Sequence, residues 1–358
     1  GGTTTVATRG NSQKIPDFLR KLAAEVGQSK IKRNIGWTGN TRFLIIALPD
    51  DKATAWTNTI EIVIRNKKST HDELESILGR ITHLAVPSPK ILHFLSRLRS
   101  LVDRAKNKRM VGIPPQVIQD FKLFILFIEN ANKGINMNLC TYRCPTIAYC
   151  ADACPQGLGG FSHRGRAWRF RIPTHLHFQA TLNFLEFIAS TIGPWIDILE
   201  HNTTPLDCSL SQTDSSTTEG WLRRSNFKEA TESNIQTGEK LTWARDHSSR
   251  MLDNQIKEYS QWFPGKENEV ADSLSRDDHI SDQKLTFLLF SIIPNQMPPN
   301  FKISPLPPVI VSTLLEMLQR LPEATQQREA HQRSRIALGC ASNRSSFVVH
   351  ALSALVHL

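Results

Sequence analysis

Between residues 146 and 280 the sequence predicts a mixed α/β domain whose hairpin strands lead. Three observations carry this. Residues 167–172 alternate, with Trp168, Phe170 and Ile172 on one face and Arg169 and Arg171 on the other, the period of a strand. Phe178, Leu182, Leu185, Ala189 and Ile192 recur at helical spacing. The pieces run in the order strand, hairpin, strand, helix, strand, helix, polar insert, strand, helix.

Each element has a local reason. Residues 1–40 are polar and basic, with one amphipathic piece at Ile15, Phe18, Leu19, Leu22 and Val26. Residues 43–48 form a short apolar strand closed by Pro49-Asp50-Asp51, and a helix follows over 52–66. Ser69-Thr70-His71-Asp72-Glu73 reads as a capped helix start, a hydroxyl followed three residues later by an acid. That helix runs through Leu74, Ile77, Leu78 and Ile81 until Pro87 and Pro89 break it. Ile91, Phe94, Leu95, Leu98, Leu101 and Val102 then make a helical stripe. Arg97, Arg99, Arg104, Lys106, Lys108 and Arg109 surround and follow it. A run of one sign reads either as a solvated face or as a nucleic-acid backbone contact. Residues 115–130 are a further helix.

From Pro145 the character changes. Residues 146–151 are strand-like, and Gly157, Gly159 and Gly160 mark a turn or bulge. Residues 205–213 are a strand, and Ser215 opens a helix. Residues 228–250 are polar and poorly patterned. Residues 257–263 are a strand closed by Pro264-Gly265, and a helix begins near Glu267. A proline-rich connector covers 298–308, followed by a helix through Ile310, Leu314, Met317, Leu318 and Leu321 and a polar tail. The domain limits expected are 1–40, 41–144, 145–290 and 291–358.

Composition narrows the function classes. The chain has 358 residues, 43 Lys plus Arg against 33 Asp plus Glu, and a formal charge of +10. That balance favours a polyanionic partner, most simply nucleic acid. The start has no apolar segment of a secretory signal, and no apolar run approaches the ~20 residues of a membrane helix. The expectation is an intracellular chain with no membrane partner. The absent initiator Met reads as a piece of a longer product. Six cysteines do not make a disulfide scaffold. Cys140, Cys144, Cys150 and Cys154 cluster with wider spacing than a zinc knuckle, so they read as a zinc site or as reduced core cysteines.

Four acids sit at informative places: Asp152 at the end of a strand, Glu186 in a helix, Asp214 between a strand and a helix, and Asp272 in the first turns of the last helix. Taken singly, each is an ordinary surface carboxylate, or a cap in the case of Asp214. Brought together, they repel and raise one another's pKa unless cations intervene. Hard divalent ions suit such oxygen ligands.

The segments IAYCADACPQGLGGFS, LNFLEFIAS, QTDSSTTEGWLRRS and WFPGKENEVADSLSR occur in this order. Together they resemble the ribonuclease H domain of retroelement reverse transcriptases, in particular that of DIRS-like, tyrosine-recombinase retrotransposons. Upstream, LPDDKATAW and HDELESILGRITHLAVPSPKILHFLSRLRSL resemble the polymerase end and the thumb or connection of the same elements. Downstream, QMPPNFKISPLPPVIVSTLLEMLQRLP resembles their linker. The resemblance implies a ribonuclease H-like mixed sheet with flanking helices, preceded by a mainly helical region. It also implies catalytic, metal-binding roles for Asp152, Glu186, Asp214 and Asp272, with two Mg²⁺ ions or Mn²⁺ in their place. The substrate implied is an RNA–DNA hybrid, cut in its RNA strand, and the partner is the rest of the retroelement polyprotein. Arg169, Arg171, Arg223 and Arg224 are candidates to grip phosphates, or are solvated surface arginines. Trp168, Trp221 and Trp262 read as core residues from their apolar neighbours.

The departures are specific. The polymerase motif of an aromatic residue, any residue and two aspartates is absent, so no polymerase activity is expected. No tyrosine lies near the C-terminus to serve a recombinase. The alternative expectation is an inactive relic that keeps the fold and only binds nucleic acid.

Overall fold

A computed structural model describes residues 31–34, 36–40, 43–140, 142–205, 207–224 and 234–321. The amphipathic piece at 15–26, the start of the polar insert and the tail lie outside the described residues. The chain divides into two compact units, 1–144 with 251–257, and 145–250 with 258–358.

The first unit has a small antiparallel sheet and a helical layer. Strands β1 (Ile31–Asn34), β2 (Trp37–Asn40) and β3 (Ile45–Ala47) are followed by α1 (Asp50–Asn66), β4 (Lys68–Ser69) and α2 (His71–Leu84). A 3-10 turn over Pro89–Phe94 leads into α3 (Leu95–Ala105), then β5 (Val111–Gly112), α4 (Pro115–Lys133) and β6 (Ile135–Asn136). The strand expected over 43–48 is shorter, because Phe43 and Leu44 form an exposed turn with Leu44 in the left-handed region (φ 53°). The α2 start is the expected capping box: Thr70 Oγ1 accepts from Glu73 N–H and the Glu73 carboxylate accepts from Thr70 N–H. The expected stripe of Ile91, Phe94, Leu95, Leu98, Leu101 and Val102 is buried throughout. Part of the basic run is used internally, since Arg97 pairs with buried Asp120 at 3.5 Å.

The second unit is a six-stranded mixed sheet with helices against it, the fold class expected. Its elements are β7 (Ile147–Cys154), β8 (Gly157–Ser162), β9 (Arg166–Arg171), α5 (Leu182–Leu199), β10 (Cys208–Thr213) and α6 (Ser216–Arg224). There follow α7 (Asn234–Asp253), β11 (Lys257–Trp262), α8 (Glu269–Arg276), α9 (Asp282–Ile292), β12 (Lys302–Ile303) and α10 (Pro308–Arg320). The strand order is β11-β10-β7-β8-β9-β12. Strands β7, β8 and β9 form an antiparallel meander, while β10 joins β7 and β12 joins β9 in parallel.

The structure differs from these expectations at five places. Strand β7 runs on to Cys154, so Asp152 lies inside it rather than at its end. Gly157, Gly159 and Gly160 are neither turn nor bulge but lie within β8, where close packing requires them. Helix α5 starts at Leu182, with Phe178 outside it in the left-handed region (φ 65°), and continues through Pro194 to Leu199. The polar stretch before residue 254 carries helix α7. Its core face includes Lys240, His247 and Ser248 beside Leu241, Trp243 and Ala244, so the apolar period is diluted. Two of these polar groups have partners: His247 lies between the Trp195 indole N–H (3.0 Å) and Glu258 (3.0 Å), and Lys240 lies over the Trp221 ring at 4.2 Å. The proline-rich connector supplies β12, seated by Phe301 against Phe161 and Phe290.

One helix, α5, is long and apolar enough to cross a membrane by length and composition. Its residues 184, 185 and 187–198 are buried within the unit, the environment of a core helix.

Candidate active site

Strand β7 is central, paired to β8 on one side and β10 on the other. Asp152 therefore starts from a buried position, and only 4% of it is exposed. Its partner directly across the hairpin is Gly159. A Cβ at Gly159 would lie 2.5 Å from the Leu274 carbonyl carbon, and one at Gly157 would lie 2.5 Å from Ser275 O. The bare β8 backbone thus admits helix α8 to direct contact. That approach brings Asp272, Ser275 and Arg276 to Asp152. Ser275 Oγ donates to Asp152 Oδ2 at 2.6 Å. Arg276 Nε donates to Asp272 Oδ1 at 2.7 Å, and its terminal nitrogen lies 3.9 Å from Asp152 Oδ2.

Helix α5 packs on β7 and presents Glu186. The Ser215 hydroxyl donates to this carboxylate and itself accepts the Thr218 N–H at 3.3 Å, capping the α6 region. Glu186 Oε2 is buried and has no hydrogen-bond partner among the described residues. Asp214 follows the end of β10. A Cβ at Gly265 would lie 2.8 Å from Asp214 Oδ2, so glycine leaves room for the carboxylate. Asn268 ties this side to β7, donating to Ala151 O at 3.1 Å and hydrogen-bonding the Asp214 side chain.

The electrostatics reflect the grouping. Burial pushes the Asp152 carboxyl up to about 7, with Asp272 and then Asp214 adding repulsion. Burial likewise pushes Glu186 up to about 7, with Asp152 and Asp214 adding to it. Asp214 is raised chiefly by burial and further by Asp272. Burial works against the charge on Arg276, but Asp272 and Asp152 outweigh it and hold its pKa above the usual value. The guanidinium is therefore the local counter-charge to this cluster.

Because the two folded-state pKa values are raised, the folded state holds extra protons between about pH 4 and about pH 7. Stability from these groups is present below the unfolded pKa and lost as pH rises through 7. The wild-type chain is expected to melt at a higher temperature at pH 6 than at pH 8. In a D152N/E186Q variant that difference should shrink, by scanning calorimetry. An unchanged difference would remove these acids as its source.

The carboxylates offer the oxygen donors that a hard divalent cation takes, and the unpartnered Glu186 oxygen is a free donor of that kind. As the side chains stand, no group of three or more His, Cys, Asp or Glu among the described residues is arranged to hold a metal ion. Arg276, paired to Asp272, stands in the place of a cation. Zinc is not supported by the cysteines. Cys150 Sγ donates to Gln212, Cys154 Sγ donates to Ser275 O, and burial pushes Cys140 up to about 11 and Cys150 up to about 12.

The four arginines differ. Arg169 pairs with Asp282 and donates to the carbonyls of Asp277 (3.1 Å) and Ile280 (2.8 Å), so its donors secure the segment before α9 rather than face a ligand. Arg171 pairs with Asp278 at 2.9 Å yet remains well exposed. It lines a cavity of about 310 Å³ with Cys154, Gln156, His177, Arg276 and Asp278. Arg223 pairs with Glu219 one turn back, and Arg224 is exposed. Of the tryptophans expected in the core, Trp168 and Trp221 are buried, but Trp262 is 51% exposed. Ser275 and Arg276 lie in the WFPGKENEVADSLSR segment, where nothing local marks them as partners of Asp152.

No protein-family model matches the chain, and no curated protein matches it. Among solved structures, it is similar to a foamy viral protease-reverse transcriptase in complex with an RNA/DNA hybrid, at 14% identity over 72% of this chain and 34% of that one, with a TM-score of 0.25. It is also similar to a foamy viral protease-reverse transcriptase dRH in complex with double-stranded DNA, at 14% identity over 72% of this chain and 44% of that one, with a TM-score of 0.26. The chain spans less than half the length of either. Overlap at this level carries no weight for function, which rests on the residues described above.

Proposed function

We propose that the second unit is a metal-dependent nuclease of the ribonuclease H type, cutting the RNA strand of RNA–DNA hybrids. On this reading it belongs to the reverse transcriptase of a DIRS-like retroelement. The observation that carries it is the grouping of Asp152, Glu186, Asp214 and Asp272 from four separate elements, with repulsion among them.

Asp152, Glu186, Asp214 and Asp272 are the residues that would hold Mg²⁺ or Mn²⁺. When bound, such ions lower the pKa of an attacking water and stabilise the departing 3′ oxygen. The chain's own part is placement. Ser275 and Asn268 fix the Asp152 and Asp214 region, and burial keeps the local dielectric low, so charge acts strongly there. Arg276, paired to Asp272 and near Asp152, is the cation on hand to compensate a phosphate brought to these acids. A wide, shallow minor groove and 2′-hydroxyls would distinguish the hybrid from DNA.

One observation favours the second reading, an inactive chain that only binds nucleic acid. Arg276 already neutralises Asp272, and the acids are not arranged as a ready metal site. The test is cleavage of a labelled RNA–DNA hybrid by the 358-residue chain with Mg²⁺, against EDTA. Metal-dependent cutting of the RNA strand is the expected result. Hybrid binding with no cutting, in Mg²⁺ or Mn²⁺, would establish the inactive alternative.

A further inference from the structure

Trp262 is the last residue of β11, and 51% of it is exposed. By the two-residue period it shares a strand face with Ser260 and Glu258. Both of those have neighbours: Ser260 Oγ donates to Glu219 O at 3.2 Å, and Glu258 pairs with buried His247. Trp262 lies at the end of the strand, and its ring remains at the surface. Leaving half of a tryptophan at solvent exposes roughly 100 Å² of mostly apolar area, which solvent disfavours.

The ring is nevertheless anchored. Its indole N–H donates to the Asp214 backbone carbonyl at 2.9 Å. Phe263 N–H, the next donor along, bonds Thr213 O at 3.2 Å, so the end of β11 is tied to the end of β10. The side chain is therefore held by its N–H on the backbone of one of the four acids, with about half of its surface at solvent. An anchored, open aromatic face beside acids proposed to cut a phosphodiester suits the apolar face of a nucleotide. In a paired hybrid the bases are stacked on one another, so the accessible apolar surface is the ribose, read across the minor groove.

We infer that Trp262 is a substrate-contact residue whose indole packs on a ribose of the RNA strand next to the phosphate to be cut. This rests on the nuclease reading above, and it adds a specific nucleic-acid contact that the acids do not supply. The indole has two separable features. Its face packs on sugar, while its N–H holds the Asp214 carbonyl. Phenylalanine keeps the first and loses the second.

The experiment uses the full 358-residue chain as wild type, W262A and W262F, with folding checked by circular dichroism. Binding of a short labelled RNA–DNA hybrid is measured in EDTA by fluorescence anisotropy. Cleavage is measured in Mg²⁺ at limiting and saturating hybrid. W262A is expected to weaken binding about tenfold or more, and W262F by an intermediate factor, because phenylalanine keeps an apolar face but loses the N–H that anchors it on Asp214, with the loss in both falling more on KM than on kcat. Wild-type binding by W262A overturns the contact while leaving the nuclease reading intact. W262F as impaired as W262A, with kcat falling, also overturns it and makes Trp262 a positioning residue for Asp214. If the wild-type chain binds hybrid without cutting it, the nuclease reading fails, and the binding arm still decides the contact. If it does not bind hybrid, both fail.

Discussion

Replacing Asp152 with Asn is expected to reduce hybrid cleavage by about 10³-fold or more while raising the melting temperature at pH 8. The two effects come from one cause. Asp152 is held in a buried site where its charge is disfavoured first by burial and then by Asp272. A group kept against its own solvation is costly to fold with and valuable only for what it binds. Asparagine keeps the shape and can still accept from Ser275 Oγ, but carries no charge. The unfolded chain loses little from the change, and the folded chain loses repulsion. A pKa raised from 3.8 to about 7 corresponds to a gain of order 2–4 kcal/mol at pH 8, an upper range because neighbouring acids readjust. Parallel measurements of cleavage and thermal melting check both halves. A D152N chain that cuts hybrid at the wild-type rate would exclude Asp152 from the chemistry. One that melts lower would show that Arg276 and Ser275 make the aspartate net stabilising.

Gly159→Ala is expected to destabilise the second unit by about 3 kcal/mol, with loss of cleavage following loss of structure. The added methyl would meet Leu274 C and Ser275 N at 2.5 Å and Leu274 Cβ at 2.6 Å. Two of those three atoms are backbone, so no side-chain rotation relieves the clash. Either α8 moves off the sheet or β8 bends. Both take Asp272, Ser275 and Arg276 away from Asp152. Gly79 in α2 is the control, since nothing lies within 4 Å of a Cβ there. Alanine at that helical position should be neutral or stabilising by up to ~1 kcal/mol. Equal destabilisation by the two substitutions in urea melts would refute the packing argument for Gly159.

The glycines also show where sequence reading stops. Gly157, Gly159 and Gly160 predicted a turn because glycine is permissive and turns use it. In the structure they form part of a strand, where the absence of a side chain is what matters. For Gly157 and Gly159 the need comes from α8, more than 100 residues along the chain, and for Gly160 from the Cys150 carbonyl and the Trp168 ring. Helix α7 shows the opposite difficulty. Its core face carries Lys240, His247 and Ser248, and a polar side chain on a buried face reads as solvent-facing until its partners are known. Trp262 misled in a third way, because apolar neighbours in sequence do not imply apolar neighbours in space at the last residue of a strand.

What the sequence determined by itself was local. The alternation at 167–172, the stripes of α2, α3 and α5 and the Thr70 capping box each depend on residues within a turn or two, so periodicity and capping chemistry suffice to read them. The order of the elements was legible for the same reason, whereas the four acids were singled out by the resemblance of the segments around them and not by any local pattern. Tertiary structure alone decided that a guanidinium stands between Asp152 and Asp272, that Glu186 keeps an unpartnered oxygen, and that Arg169 secures a loop. It also decided that the proline-rich segment adds a sixth strand and that one tryptophan faces out. Those facts depend on burial and on contacts between distant residues. Charge and hydrogen bonding have strengths set by the surrounding medium, and only packing fixes that medium.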